Sequence, residues 1–83
     1  MIFVIFTEDG LQQAEAEILA EKATLWLNPS LLEGSDLSRL QAAGIDIHGL
    51  PDQVDTINEK TVMAAVTHIE SISPKTEILV EYN

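Results

Sequence analysis

The segment Ile2–Phe6 is an unbroken run of apolar residues, and each of them is β-branched or aromatic. A strand with one face in water alternates apolar and polar residues, whereas a strand covered on both faces is apolar throughout. Such a strand lies at the centre of a parallel sheet, and helices must cover both faces of that sheet. This run therefore predicts an α/β architecture with its first strand in a buried, central position.

The rest of the chain alternates helical and extended patterns in the order β-α-β-α-β-α-β. After the first strand, the helices and strands are predicted from the composition of each segment, from the spacing of its apolar residues and from breaker residues at its ends. In chain order they are a helix at Leu11–Ala23, a strand at Thr24–Leu27, a helix at Ser35–Ala43, a strand at Ile45–Ile47 that can extend to His48, a helix at 58–72 and a strand at Glu77–Tyr82.

Capping residues mark where two of these helices begin. Thr7 or Asp9 suits the N-cap of the first helix, because both side chains can accept a bond from a free N–H group. Two alternatives exist for the last helix. Thr56 and Glu59 have the spacing of a capping box, whereas Asn58 as N-cap would allow a hydrophobic staple just outside the helix.

This order predicts one three-layer α/β domain over residues 1–83, with a mostly parallel four-stranded sheet. Asp46 and His48 alternate with apolar residues in the third strand, which indicates partial exposure at an edge of the sheet. With the first strand buried and the third at an edge, the strand order 3-2-1-4 fits best. The order 2-1-3-4 is the alternative.

The charge balance restricts the kinds of partner. The 83 residues include 14 Asp and Glu but only 4 Lys and Arg, so the net charge is −10. Nucleic acids and anionic membranes are bound through clustered cations, and the four cations here are scattered along the chain. We therefore expect no direct nucleic-acid or membrane partner, and a protein partner that is basic.

The absence of cysteine fits a reducing compartment, so we expect a cytoplasmic protein. The apolar start at Met1–Phe6 is too short for a secretory signal and lacks basic residues around it. No apolar stretch approaches the about 20 residues of a membrane-spanning helix.

Four residues are candidates for chemistry because they follow strands that end at the same edge of the sheet. Ligands bind beyond the carboxyl ends of parallel strands, where Glu8, Asp9, His48 and Asp52 are expected. Carboxylates with an imidazole could bind Mg²⁺ or Mn²⁺ or supply a general base. The competing interpretation is structural, with acids that cap a helix or shape a turn.

Four other residues are candidates for an interface: Trp26, Leu31, Leu32 and Tyr82. Aromatic side chains anchor many protein complexes, although burial of Trp26 in the core is the simpler expectation. An edge strand could add main-chain hydrogen bonds to such a contact, with a partner or with a second copy in a homodimer.

No pattern of a nucleophile with its base is present, and the turn after the first strand lacks the glycines of a phosphate-binding loop. The sequence therefore favours a non-enzymatic binding or adaptor module without a cofactor, which meets a protein partner. The alternative is a small hydrolase or phosphotransfer-type domain that depends on Mg²⁺ or Mn²⁺ bound by the acids named above.

Overall fold

The computed structural model describes residues 1–81 and has the predicted alternation of strands and helices. In chain order the elements are β1 (Ile2–Ile5), α1 (Glu8–Glu21), β2 (Thr24–Leu27), α2 (Pro29–Gly34), α3 (Ser38–Ala42), β3 (Ile47–Gly49), α4 (Glu59–Ile72) and β4 (Ile78–Val80).

The strands form one parallel sheet in the order β3-β2-β1-β4, which confirms the preferred order from the sequence. Val4 in β1 lies opposite Trp26 in β2 and Val80 in β4, so the apolar first strand is central. Each edge is a strand of three residues, β3 on one side and β4 on the other.

The two faces of the sheet are covered unequally. One face packs against α1, α2 and α3, and its buried residues include Phe3, Ile5, Leu11, Ile18, Leu25, Leu27, Leu31 and Leu40. The other face packs against one helix, α4, through Ala65 and Ile69 over Ile2, Val4, Phe6 and Trp26, with Leu50 and Val54 of the preceding loop in the same cluster. Because a single helix covers the second face, part of the sheet surface beside it stays open.

The ends of the long helices follow from local hydrogen bonds. The Thr7 hydroxyl accepts a bond from the Gly10 N–H and caps α1, as the sequence predicted for Thr7 or Asp9. Asn58 caps α4 by accepting from the Lys60 N–H, so the Asn58 alternative is confirmed. The staple that could accompany this cap is not formed, because Ile57 is 91% exposed.

The segment between β2 and β3 differs from the sequence expectation. Pro29 starts α2, a helix that the sequence did not predict, because proline lacks only an N–H that has no partner in the first turn. The helix predicted at Ser35–Ala43 is shorter, since Ser35 instead ends α2. Gly44 follows α3 with φ of +80°, a conformation that glycine adopts without strain.

The last strand is shorter than the predicted Glu77–Tyr82, and Tyr82 lies outside the described residues. Within β4 the side chains alternate between the two faces of the sheet. Ile78 and Val80 pack beside α4, whereas Leu79 points to the opposite face and is 37% exposed.

Candidate functional site

The four residues predicted for metal or acid–base chemistry have separate surroundings. Glu8 accepts a hydrogen bond from the Ser35 hydroxyl on the α1 side of the sheet. His48 lies 3.0 Å from the Asp46 carboxylate and stacks on Trp26, on the α4 side. Asp9 and Asp52 are exposed. Within residues 1–81, no three His, Asp or Glu side chains are grouped to hold a metal ion.

Both histidines of the chain contact its one tryptophan, which the sequence did not indicate. The His48 ring stacks on Trp26 with centroids 4.8 Å apart, and the His68 ring meets Trp26 edge-on at 5.8 Å. Trp26 is itself 8% exposed. Trp26 is therefore covered in part by the two imidazole rings, while the His48 side chain itself remains 42% exposed.

The predicted interface residues are distributed between core and surface. Trp26 and Leu31 are buried, so neither offers its side chain to a partner in this structure. Leu32 is 39% exposed and leans over β3, with its Cδ1 2.5 Å from where a β-carbon would stand on Gly49. Tyr82 lies outside the described residues.

The open surface beside α4 is a groove of about 710 Å³ between α4 and β4. Its floor and walls are largely apolar, and polar side chains lie towards its ends. The lining residues are Phe6, Thr56, Glu59, Val62, Met63, Val66, Glu70, Pro74, Thr76, Ile78, Val80 and Glu81.

The helix side of this groove is a flank of α4 that does not touch the sheet. Ala65 and Ile69 are buried against the sheet, whereas Met63, Val66 and Glu70 line the groove. These three have i, i+3 and i+7 spacing, so they share one face of the helix. Met63 is 64% exposed, which leaves an apolar side chain of this flank open to solvent.

The groove carries negative charge at both of its ends. Glu59 starts α4 and Glu81 follows β4, so both lie at the carboxyl end of the sheet. Glu70 lies near the opposite end of α4, close to the turn that leads into β4. No lysine or arginine belongs to the lining of the groove in residues 1–81.

Hydrogen bonds fix the position of the Glu81 carboxylate. It accepts from the Phe6 N–H at 2.8 Å, from the Thr7 N–H at 3.0 Å and from the Thr7 hydroxyl at 2.6 Å. Thr7 caps α1, so the carboxylate also lies at the positive end of that helix. Glu81 thereby ties the end of β4 to the turn between β1 and α1.

No protein-family model, curated protein or solved structure matches this chain. Along residues 1–81, no helix is both long enough and apolar enough to cross a membrane. The fold and the surface of the chain are thus the observations from which a function can be argued.

The groove-lining residues Glu59, Met63 and Glu70 were missing from the sequence-based candidates. Val66 lies three residues before the buried Ile69, but it is only half-buried and lines the groove. The sequence of α4 did contain an indication of this groove, because its apolar residues cover more than one face of the helix. Residues 1–81 cover this second apolar flank only in part, since Met63 is 64% exposed.

Proposed function

We propose that this protein is a cytoplasmic, non-enzymatic binding module, and that the groove between α4 and β4 accepts an apolar and basic segment of a partner protein. The proposal rests on a single surface, the groove, which is both apolar and negatively charged. The groove exposes Met63 beside Val66 and Val80, and it has carboxylates at both ends.

The dimensions of the groove suit a stretch of polypeptide. Glu59 and Glu70 are eleven residues apart on α4, which corresponds to about 16 Å along a helix axis. An extended chain covers that distance with about five residues. A short segment can therefore place apolar side chains over Met63 and Val66 while its two ends reach the carboxylates.

The charge of the groove favours a basic segment over a second copy of this chain. Glu59, Glu70 and Glu81 line the groove, and the whole chain carries a net charge of −10. Two copies would repel each other, whereas a cationic segment would be attracted over long range and would associate quickly at low salt. Lysine or arginine at both ends of the segment would pair with the acidic ends of the groove.

The proposal can be tested with a synthetic peptide of about seven residues, the length of a typical strand. The peptide has lysine at both ends, valine and threonine alternating between them, and a fluorescent label for anisotropy. We expect Glu70→Lys to weaken binding by about tenfold, mainly through faster dissociation, because a close ion pair at the groove is replaced by repulsion.

Glu17→Lys is the matched control, because it changes the net charge equally at an exposed position on α1, on the opposite face of the sheet. It should slow association modestly and leave dissociation nearly unchanged. Equal effects of the two substitutions would mean that net charge alone attracts the peptide, and the groove would be rejected as the site.

A second copy of the chain is the competing occupant, and sedimentation velocity of the protein without peptide addresses it. We expect a monomer at micromolar concentration. A dimer that Glu70→Lys shifts towards monomer would assign the groove to self-association and would replace the proposed basic partner.

A further inference from the structure

The main chain of β4 has one side paired and one side open. The Glu77 carbonyl accepts from the Ile2 N–H at 2.8 Å, and the Glu81 N–H donates to the Val4 carbonyl at 2.9 Å. Alternate residues of a strand direct their N–H and C=O groups to the same neighbour. Ile78 and Val80 therefore direct theirs away from β1, where no strand formed by residues 1–81 pairs with them.

The two edges of the sheet are protected to different extents. At the β3 edge, the Asp46 carboxylate precedes the strand and lies 3.0 Å from the His48 imidazole within it, and Leu32 packs over one face of the strand at Gly49. β4 consists of Ile78, Leu79 and Val80, and no charged side chain lies within the strand. Proteins usually guard exposed edge strands with charge, bulges or a covering element. β4 lacks these within its own length.

We propose that the partner segment binds as an additional strand on the outer edge of β4. This inference rests on the proposed function, since the groove and the open edge are parts of one surface. The N–H and C=O groups of Ile78 and Val80 pair with the main chain of the segment. Alternate side chains of the segment then point over the groove towards Met63 and Val66.

The segment is expected to be apolar at alternate positions and basic at both ends. Its side chains over the groove meet Met63, Val66 and the edge of Val80, which are apolar. Main-chain pairing gives affinity for any extended segment, whereas the apolar flank and the terminal carboxylates select which segment binds. A basic strand with this alternation is the chemistry that fits all of these contacts.

Substitution at Val80 separates main-chain pairing from side-chain packing. Val80→Pro removes the outward N–H, which β1 does not use, and proline is tolerated on the open side of an edge strand. Val80→Ala is the matched control, because it keeps the N–H and removes most of the side chain. For the lysine-flanked peptide described above, we expect Val80→Pro to bind about tenfold more weakly than Val80→Ala.

Modified peptides test main-chain pairing with β4 without any substitution in the protein. Two versions carry N-methyl groups on alternate residues, so that each blocks the N–H groups on one edge of the peptide. We expect one version to lose binding to the wild-type protein and the other to keep it, because only one edge of an added strand pairs with β4.

Each outcome has a defined meaning. Equal binding of both N-methylated peptides, together with equal affinities of Val80→Pro and Val80→Ala, would overturn strand addition while the groove remained the binding site. If the unmodified peptide failed to bind the wild-type protein, the proposed function and the strand addition would both be rejected. A difference between the two N-methylated versions would support strand addition even if Val80→Pro failed to fold.

Discussion

Gly10 matters because its missing side chain leaves room for the Glu81 carboxylate. A β-carbon on Gly10 would overlap the carboxylate group of Glu81, which would have to leave its bonds to Phe6 and Thr7. Alanine is also better than glycine within a helix, by about 1 kcal/mol. The substitution Gly10→Ala thus combines a gain in helix stability with the loss of a long-range contact.

These two effects predict a non-additive pair of substitutions. In an Glu81→Ala background, Gly10→Ala should raise the free energy of unfolding by about 1 kcal/mol, because no carboxylate is displaced. In the wild-type background the gain should disappear or reverse, since hydrogen bonds to a carboxylate are lost. Urea unfolding of the four proteins measures this coupling. Additive effects would mean that Glu81 contributes nothing to stability at this position.

Asn28 is the buried polar residue on which the junction after β2 depends. It is 1% exposed; its Nδ2 donates to the carbonyls of Phe6 and Val54, and its Oδ1 accepts from the Val54 N–H. Removal of the amide would leave these three main-chain groups without a partner.

We therefore expect Asn28→Ala to lower the free energy of unfolding by about 2–4 kcal/mol. Asn58→Ala is a suitable comparison, because Asn58 caps α4 at the surface and its loss should cost only about 1 kcal/mol. Chemical denaturation compares the two proteins. Equal losses would contradict the structural role assigned to the buried amide of Asn28.

Among the elements, α3 is the one whose N-terminal turn is expected to change stability with pH, through Asp36. The Ser38 hydroxyl and the Ser38 N–H both donate to Asp36, and the hydroxyl bond has the larger part in lowering the pKa of Asp36 below its ordinary value of 3.8. Because the pKa is lower in the folded state, the contribution of this carboxylate is present above the unfolded value. It is lost as the pH falls through the folded value.

The prediction is that the N-terminal turn of α3 loosens as the pH falls through the folded pKa of Asp36, which lies below 3.8. Carboxyl-carbon NMR titration should give Asp36 a midpoint below that of an ordinary aspartate. Ser38→Ala should move the midpoint upwards, since the hydroxyl bond has gone. An unchanged midpoint in Ser38→Ala would show that the Ser38 hydroxyl does not hold the carboxylate.

Elements with strong local patterns were predictable from the sequence. The apolar run of β1 follows from neighbouring residues, and local patterns reduced the α4 cap and the strand order to two alternatives each, of which the structure has the Asn58 cap and the preferred order. The helix α2 was missed because a proline soon after a strand can either lead into a loop or start a helix, and Pro29 starts a helix. Both roles of proline fit the sequence, and only packing of Leu31 into the core distinguishes them.

The groove was less predictable because it depends on contacts between distant parts of the chain. Glu81 meets Thr7 across 74 residues, and no periodic pattern marks such a pair. The position of α4 over β1 and β2 decides which of its flanks stays open, and that position depends on the packing of Ala65 and Ile69. Met63 could be assigned to a helix from the sequence, but not to an exposed flank beside β4.

At the scale of the whole molecule, unequal coverage of the sheet and excess negative charge act together. Three helices cover one face and a single helix covers the other, so the open surface lies along α4 and β4. The chain carries a net charge of −10, which opposes association of copies through that surface. An apolar groove can thus remain open in an acidic molecule until a segment of opposite charge binds.

The same charge predicts opposite effects of salt on folding and on binding. Repulsion among the carboxylates disfavours the compact state, and salt screens it, so NaCl from about 20 to 300 mM should raise the free energy of unfolding at pH 7 by the order of 1 kcal/mol. Binding of the lysine-flanked peptide should weaken over the same range, since salt also screens attraction. Urea unfolding and anisotropy measure the two effects in the same buffers. If added NaCl lowered stability, attractive pairs such as Arg39–Glu15, at 3.0 Å, would outweigh the repulsion.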